Sequence, residues 1–208
     1  MPGNWEPLGF DTARYLDEEY EFPCNPPFQD HERNPVGIYR RSFILPDAWK
    51  GRRVRIHFGS VRSAFFLRVN GGEAGFAKGS KTPAEFDITP HLKDGRNMLS
   101  AEVYRYSDGS YLECQDFWRL SGIQRSVWLH ARPKAYIRDY FAKTTLVNDY
   151  KDGLIRLSVE LANSDRRPAG LRLEAGLYDG DTKIFGGTRE TDPADSLQVV
   201  ELSAEVHD

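Results

Sequence analysis

Apolar and polar residues alternate with a period of two along most of the chain. Val54, Ile56 and Phe58 alternate with Arg55 and His57, and Phe65, Leu67 and Val69 alternate with Phe66 and Arg68 before the run stops at Asn70-Gly71-Gly72. That spacing puts the apolar set on one face of a strand. Asn-Gly between two such runs predicts a tight hairpin, because both central residues of a type I′ turn need positive φ. Residues 39–45, 99–105, 125–130, 137–145, 155–161, 171–177 and 197–206 read as further strands. Only 46–50 and 89–93 have the look of short helical turns, and neither is long enough for a crossover helix. Many short strands separated by Gly, Pro, Asn and Asp predict an all-β fold of antiparallel sandwiches.

A composition change suggests two domains. Trp5, Trp49, Trp118 and Trp128 all precede Arg132-Pro133-Lys134, after which the chain is Trp-free and aliphatic. The expected division is 1–133, then 134–208 as a truncated immunoglobulin-like sandwich. With 28 Lys+Arg against 31 Asp+Glu the net charge is −3, so a dedicated nucleic-acid binder is not expected. No apolar run approaches the ~20 residues of a membrane-spanning helix, and the first twenty residues lack the apolar centre of a signal peptide, which predicts a cytoplasmic chain without a membrane partner. Five scattered histidines offer no metal-ligand spacing. Two cysteines, Cys24 and Cys114, leave a single bridge open. Gly75-Phe-Ala-Lys-Gly-Ser-Lys-Thr82 misses the phosphate-loop spacing by one residue and reads as an exposed loop. Arg40-Arg41, Arg52-Arg53 and Arg166-Arg167 read as solvated faces.

One stretch has a different density. Arg105-Tyr-Ser-Asp-Gly-Ser-Tyr-Leu-Glu-Cys-Gln-Asp-Phe-Trp-Arg-Leu-Ser-Gly122 places Glu113, Asp116, Trp118, Arg105 and Arg119 together. Carboxylates accept charge-assisted hydrogen bonds from sugar hydroxyls, and an aromatic face covers the apolar side of a ring. A structural reading competes: Asp108 capping a turn, Trp118 filling core, and Glu113 and Asp116 paired with Arg105 and Arg119.

Several segments of the chain, this stretch among them, resemble the N-terminal part of glycoside hydrolase family 2 β-galactosidases. The matching pieces are Pro2-Gly-Asn-Trp5, Gly9-Phe-Asp11, Asn25-Pro-Pro-Phe28, Asn34-Pro-x-Gly-x-Tyr39, Ser63-Ala-Phe65, Asn70-Gly71 and Pro83-Ala-Glu-Phe-Asp87. They continue in order with Ser107-Asp-Gly-Ser-Tyr-Leu-Glu113, Gln115-Asp-x-Trp118 and Arg119-x-Ser-Gly-Ile123. The resemblance implies a galactose-binding-like jelly-roll over 1–133 and the start of an immunoglobulin-like sandwich after it. It implies a parent enzyme whose two catalytic glutamates lie in a downstream barrel, with carboxyls ~5–5.5 Å apart for retaining hydrolysis. None of the catalytic residues is then in this chain, which alone is expected to be inactive.

By the same resemblance, Asp116 contacts a β-galactoside and helps hold sodium, with magnesium elsewhere in a homo-oligomeric parent. Glu113 and Trp118 shape the loop, and Arg105 orients a carboxylate within it. Asp17 stands where the family commonly has an asparagine that touches substrate; an ionised carboxylate only accepts, and Arg14 is a candidate partner for it. A non-catalytic carbohydrate-binding module, a β-glucuronidase or β-mannosidase activity, and a purely structural role in assembly are the alternatives.

Overall fold

The computed structural model describes residues 2–17, 19–165, 170–192 and 197–207. Arg166-Arg167 therefore lies outside the described residues. Two compact units form, Met1–Ala131 and Arg132–Asp208. Among the described residues no helix is long and apolar enough to cross a membrane.

In chain order the first unit contains β1 (Gly3–Asn4), β2 (Arg14–Leu16), β3 (Val36–Ile44), β4 (Arg53–Phe58), β5 (Val61–Arg62), β6 (Ala64–Val69) and β7 (Gly72–Lys78). After these come β8 (Ala84–Asp87), β9 (Arg96–Tyr104), the one-turn helix α1 (Ser110–Glu113), β10 (Phe117–Arg119), β11 (Gly122–Ile123) and β12 (Val127–Arg132). A four-stranded sheet ordered β3-β9-β6-β7 and a three-stranded sheet ordered β12-β4-β8 form the layers of the sandwich. Val54, Ile56 and Phe58 of β4 share one apolar core with Phe65, Leu67 and Val69 of β6 and Ala101 and Val103 of β9. The period-two residues of the sequence are thus the inward set, and the fold is the all-β jelly-roll that the pattern and the resemblance imply.

The β6–β7 hairpin turns at Asn70 and Gly71, with φ of 52° and 86°. The Asn70 amide donates to the His91 carbonyl and to Asn97 Oδ1, tying the turn to the neighbouring loop. The expected exposed loop over 75–82 is corrected in part: Gly75 to Lys78 belong to β7, paired with β6. Gly75 sits against the Phe86 ring so closely that a Cβ would collide with it. A glycine within a strand here marks a close packing contact. The predicted helical turns are 3₁₀ turns at Asp47–Trp49 and Thr89–His91.

The second unit contains β13 (Ala135–Val147), β14 (Asp152–Asn163), β15 (Leu171–Asp179), β16 (Thr182–Thr191) and β17 (Leu197–His207). A sheet ordered β13-β14-β17 and a β15-β16 ribbon enclose Val159, Leu161, Leu173, Val200 and Leu202.

Leu67 is fully buried between the layers, whereas Ile44 is 67% exposed at the end of β3. Leu67→Ala should lower the unfolding free energy by about 3 kcal/mol, by lost transfer energy and the cavity left behind. Ile44→Ala should change it by less than about 0.5 kcal/mol. Urea titrations with an unchanged m-value check both.

Candidate functional site

The two aspartates singled out by sequence come from segments about a hundred positions apart, and the fold brings them together. Strand β10 pairs antiparallel with β2 in the register Phe117↔Leu16, Trp118↔Tyr15 and Arg119↔Arg14. Carried one residue beyond the last pair, that register sets Asp116 across from Asp17. Both are exposed. The Tyr15 hydroxyl bonds the Asp116 carboxylate, and this bond and the Asp116 charge hold the phenol above its usual pKa, with a smaller contribution from the Asp17 charge. Tyr15 thus senses both carboxylates. Its ring meets Trp118 edge-on, with centroids 5.7 Å apart at 76°. Trp118 is 53% exposed, so it does not fill core. The end of the ribbon presents two carboxylates, a phenol and an indole to solvent.

Three-residue strands cannot hold such a ribbon by ladder bonds alone. Arg119, 2% exposed, does it from beneath. One guanidinium nitrogen, Nη1, donates to the carbonyls of Gln115 and Phe117, which flank Asp116. The other, Nη2, donates to the carbonyls of Asp17 at 2.7 Å and Glu19 at 3.2 Å. A single side chain therefore clamps both carboxylate-bearing segments. The competing salt bridge between Arg119 and Asp116 is absent among the described residues, because the guanidinium is committed to backbone.

Glu113, at the end of α1, accepts from the backbone N–H and hydroxyl of Ser80. It pins the 79–82 loop to the segment leading into β10, the loop-shaping role expected of it. The expectation for Arg105 is corrected. Its guanidinium bonds Asp11 and Glu21 and lies 3.4 Å from Glu6, all from the N-terminal segment and none from its own loop. The reason is burial: Arg105, Glu6 and Glu21 have side chains no more than 4% exposed, so each charge needs partners close at hand. Burial and its bond to Glu21 push the Tyr106 phenol well above its usual pKa. Arg14 likewise pairs with Glu21, at 3.4 Å, and not with Asp17. Cys24 is exposed and Cys114 buried, and both are free thiols.

Sequence reasoning named Asp116 and Asp17 but missed Tyr15 as the hydrogen-bonding neighbour of Asp116 and Arg119 as the clamp beneath both. Charge alone suggested an aspartate as the partner of Arg119; its backbone role has no sequence signature. Among the described residues no group of three or more His, Cys, Asp or Glu is arranged to hold a metal ion. The oxygens of Asp116, Asp17 and Tyr15 are hard donors, the donor type that sodium takes.

The model for the glycosyl hydrolases family 2 sugar binding domain matches residues 1–133. A β-galactosidase of Priestia megaterium is 40% identical over 188 residues, covering 88% of this chain and 18% of that protein. A β-galactosidase of Pectobacterium atrosepticum is 38% identical over 209 residues, covering 100% of this chain and 20% of the relative. The chain thus spans about a fifth of the length of these curated relatives. Among solved structures, a Bacteroides uniformis β-glucuronidase superposes with a TM-score of 0.74 at 25% identity, covering 83% of this chain and 22% of that one. Another Bacteroides uniformis β-glucuronidase structure shares the fold over the whole chain, with a TM-score of 0.73 at 21% identity, and this chain covers 28% of it. An uninterrupted match from residue 1 to 133, over the unit that carries both aspartates, decides the assignment: the chain belongs to glycosyl hydrolase family 2 and contains its sugar-binding domain.

Proposed function

We propose that this chain supplies the sugar-binding domain of a retaining β-galactosidase, in which the ribbon end contributes to an active site whose catalytic glutamates lie in a barrel outside these residues. The observation that carries the reading is the opposition of Asp116 and Asp17. Like charges set directly across a strand pair are unfavourable. They persist here because the Arg119 clamp over-determines the backbone, and a ligand rich in hydroxyl donors, or a cation, relieves the repulsion. A galactosyl ring offers such hydroxyls, and the exposed Trp118 offers an apolar face for its C–H side.

In this reading Asp116 accepts from sugar hydroxyls and, with Asp17 and Tyr15, offers oxygens to sodium. A sodium ion held there would supply positive charge that offsets the two carboxylates. No residue of this chain is assigned to magnesium. The ring orientation fixed here sets the scissile bond before the barrel's glutamates, which is positioning and not chemistry. The 38–40% identity to β-galactosidases favours galactoside as substrate. The likeness to a β-glucuronidase structure is a second, weaker ground for a β-glucuronide. A panel of nitrophenyl glycosides separates the two: the galactoside should be turned over fastest.

In the complete enzyme, Asp116→Ala should lower kcat/KM for nitrophenyl β-galactoside by about a hundredfold, or about 2.7 kcal/mol of transition-state binding. Unchanged kinetics would remove Asp116 from the site. Arg119→Lys keeps the charge but loses the planar fork. It should cost about 1 kcal/mol of stability by leaving part-buried carbonyls unpaired, seen as a lowered urea midpoint.

A further inference from the structure

Inward and outward residues separate cleanly on the three-stranded sheet β12-β4-β8. Ile56 and Phe58 of β4, Phe86 of β8 and Leu129 of β12 pack into the core. Side chains alternate along a strand, so Arg55, His57, Glu85, Trp128 and His130 stand together on the other face. There the His57 ring stacks on the Trp128 indole, with centroids 3.9 Å apart and an interplanar angle of 19°. Trp128 is still 48% exposed, so the indole face turned from His57 is open to solvent. Among the described residues no other ring or cation lies against it.

The stack is fixed through Glu85, which sits directly across from His57 in the β4–β8 register. One Glu85 oxygen accepts from Arg55 Nε, and the other meets His57 Nδ1 at 3.4 Å and His130 Nε2 at 3.2 Å. Pairs this close to the surface add little to stability. What the network does fix is the tilt of the imidazole and, through the stack, the tilt of the indole. It also leaves polar atoms unused. Among the described residues His57 Nε2, His130 Nδ1 and the Arg55 Nη groups have no partner, and the four polar side chains keep 19–30% of their surface in solvent. Trp128 also borders a groove of about 330 Å³ between β12 and β3, with Arg40 on the opposite wall. An apolar partner laid on this face would bury those unpaired atoms at a cost. A saccharide offers C–H groups to the indole and hydroxyls to the imidazole and guanidinium nitrogens.

We infer that Trp128, with its His57–Glu85–His130 support, forms a second saccharide site that binds galactosyl units of a chain away from the bond being cleaved. The choice of galactosyl units rests on the proposed function. The platform itself does not, and it shares no residue with the β2–β10 ribbon. Trp128 is the anchor, stacking on the C–H side of a sugar ring, while Arg55 and His130 bond its hydroxyls. Such a site holds the enzyme on a polymeric substrate and leaves cleavage of a small galactoside to the ribbon and the barrel.

Electrophoresis of the complete enzyme through a gel containing soluble β-galactan tests this, because a site outside the catalytic centre slows migration whether or not the active site works. The unaltered enzyme should be slowed. Trp128→Ala should weaken the apparent galactan affinity by about tenfold, the cost of truncating an aromatic anchor. His57→Ala keeps the indole but removes its support, and should weaken the affinity by about threefold through lost preorganisation. Asp116→Ala should be slowed like the unaltered enzyme while losing turnover of nitrophenyl β-galactoside. A cooperative urea transition shows that each variant is folded. Migration unaffected by galactan, or slowed equally in Trp128→Ala and His57→Ala, would overturn the inference. Loss of slowing in Asp116→Ala would overturn it too, by assigning galactan binding to the ribbon end. Full turnover by Asp116→Ala, with slowing still lost in Trp128→Ala, would overturn the proposed role of Asp116 and leave the platform standing.

Discussion

The site depends on one interaction: a buried guanidinium bonding the backbone on both sides of a short ribbon. Arg119 reaches the carbonyls of Gln115 and Phe117 on one segment and of Asp17 and Glu19 on the other. Two three-residue strands carry few ladder bonds, and the carboxylates at their end repel. To that ladder the clamp adds bonds on both segments, which hold Asp17 and Asp116 in opposition. Charge-assisted bonds to a desolvated guanidinium are among the stronger single contacts available, so this side chain governs the geometry of a site it does not itself line.

Rigid support lies on either side of that clamp. Glu113 fixes the 79–82 loop through Ser80, and Arg105 gathers Glu6 and Asp11 before β2 and Glu21 after it, so the chain is anchored on both sides of Asp17. Glu6 in turn accepts from the Ser121 N–H, just after β10. The charged residues that look like a binding inventory in the sequence are therefore divided. Most are buried structural pairs that position the loop, and only Asp116 and Asp17 are left facing outward. Under the function proposed above, this division suits a domain that lends a preorganised edge to a pocket completed elsewhere.

The sandwich was readable because its strands obey a two-residue period: Val54, Ile56, Phe58 and Phe65, Leu67, Val69 are the residues that meet in the core. Asn70-Gly71 was readable because positive φ is a local demand. The β2–β10 ribbon was not, since Arg14–Leu16 and Phe117–Arg119 are too short to show alternation and are paired only by tertiary context. Gly75 misled for a related reason: it looked like loop chemistry, but its lack of a side chain answers to Phe86. Asp116 stood out through the motif around it, whereas its opposition to Asp17 is a register fact. Arg105 and Arg119 were legible as charged but not as partnered, because burial decides which groups a guanidinium must satisfy.

The central claim is that the outward carboxylate at the ribbon end touches the sugar. A crystal structure of the complete protein with a bound galactosyl ligand measures this directly. The account predicts a galactosyl hydroxyl oxygen at ~2.7 Å from an Asp116 carboxylate oxygen, with Arg119 still bonded to the carbonyls beneath. A ligand bound with Asp116 turned away from it, or covered by another part of the protein, would contradict it.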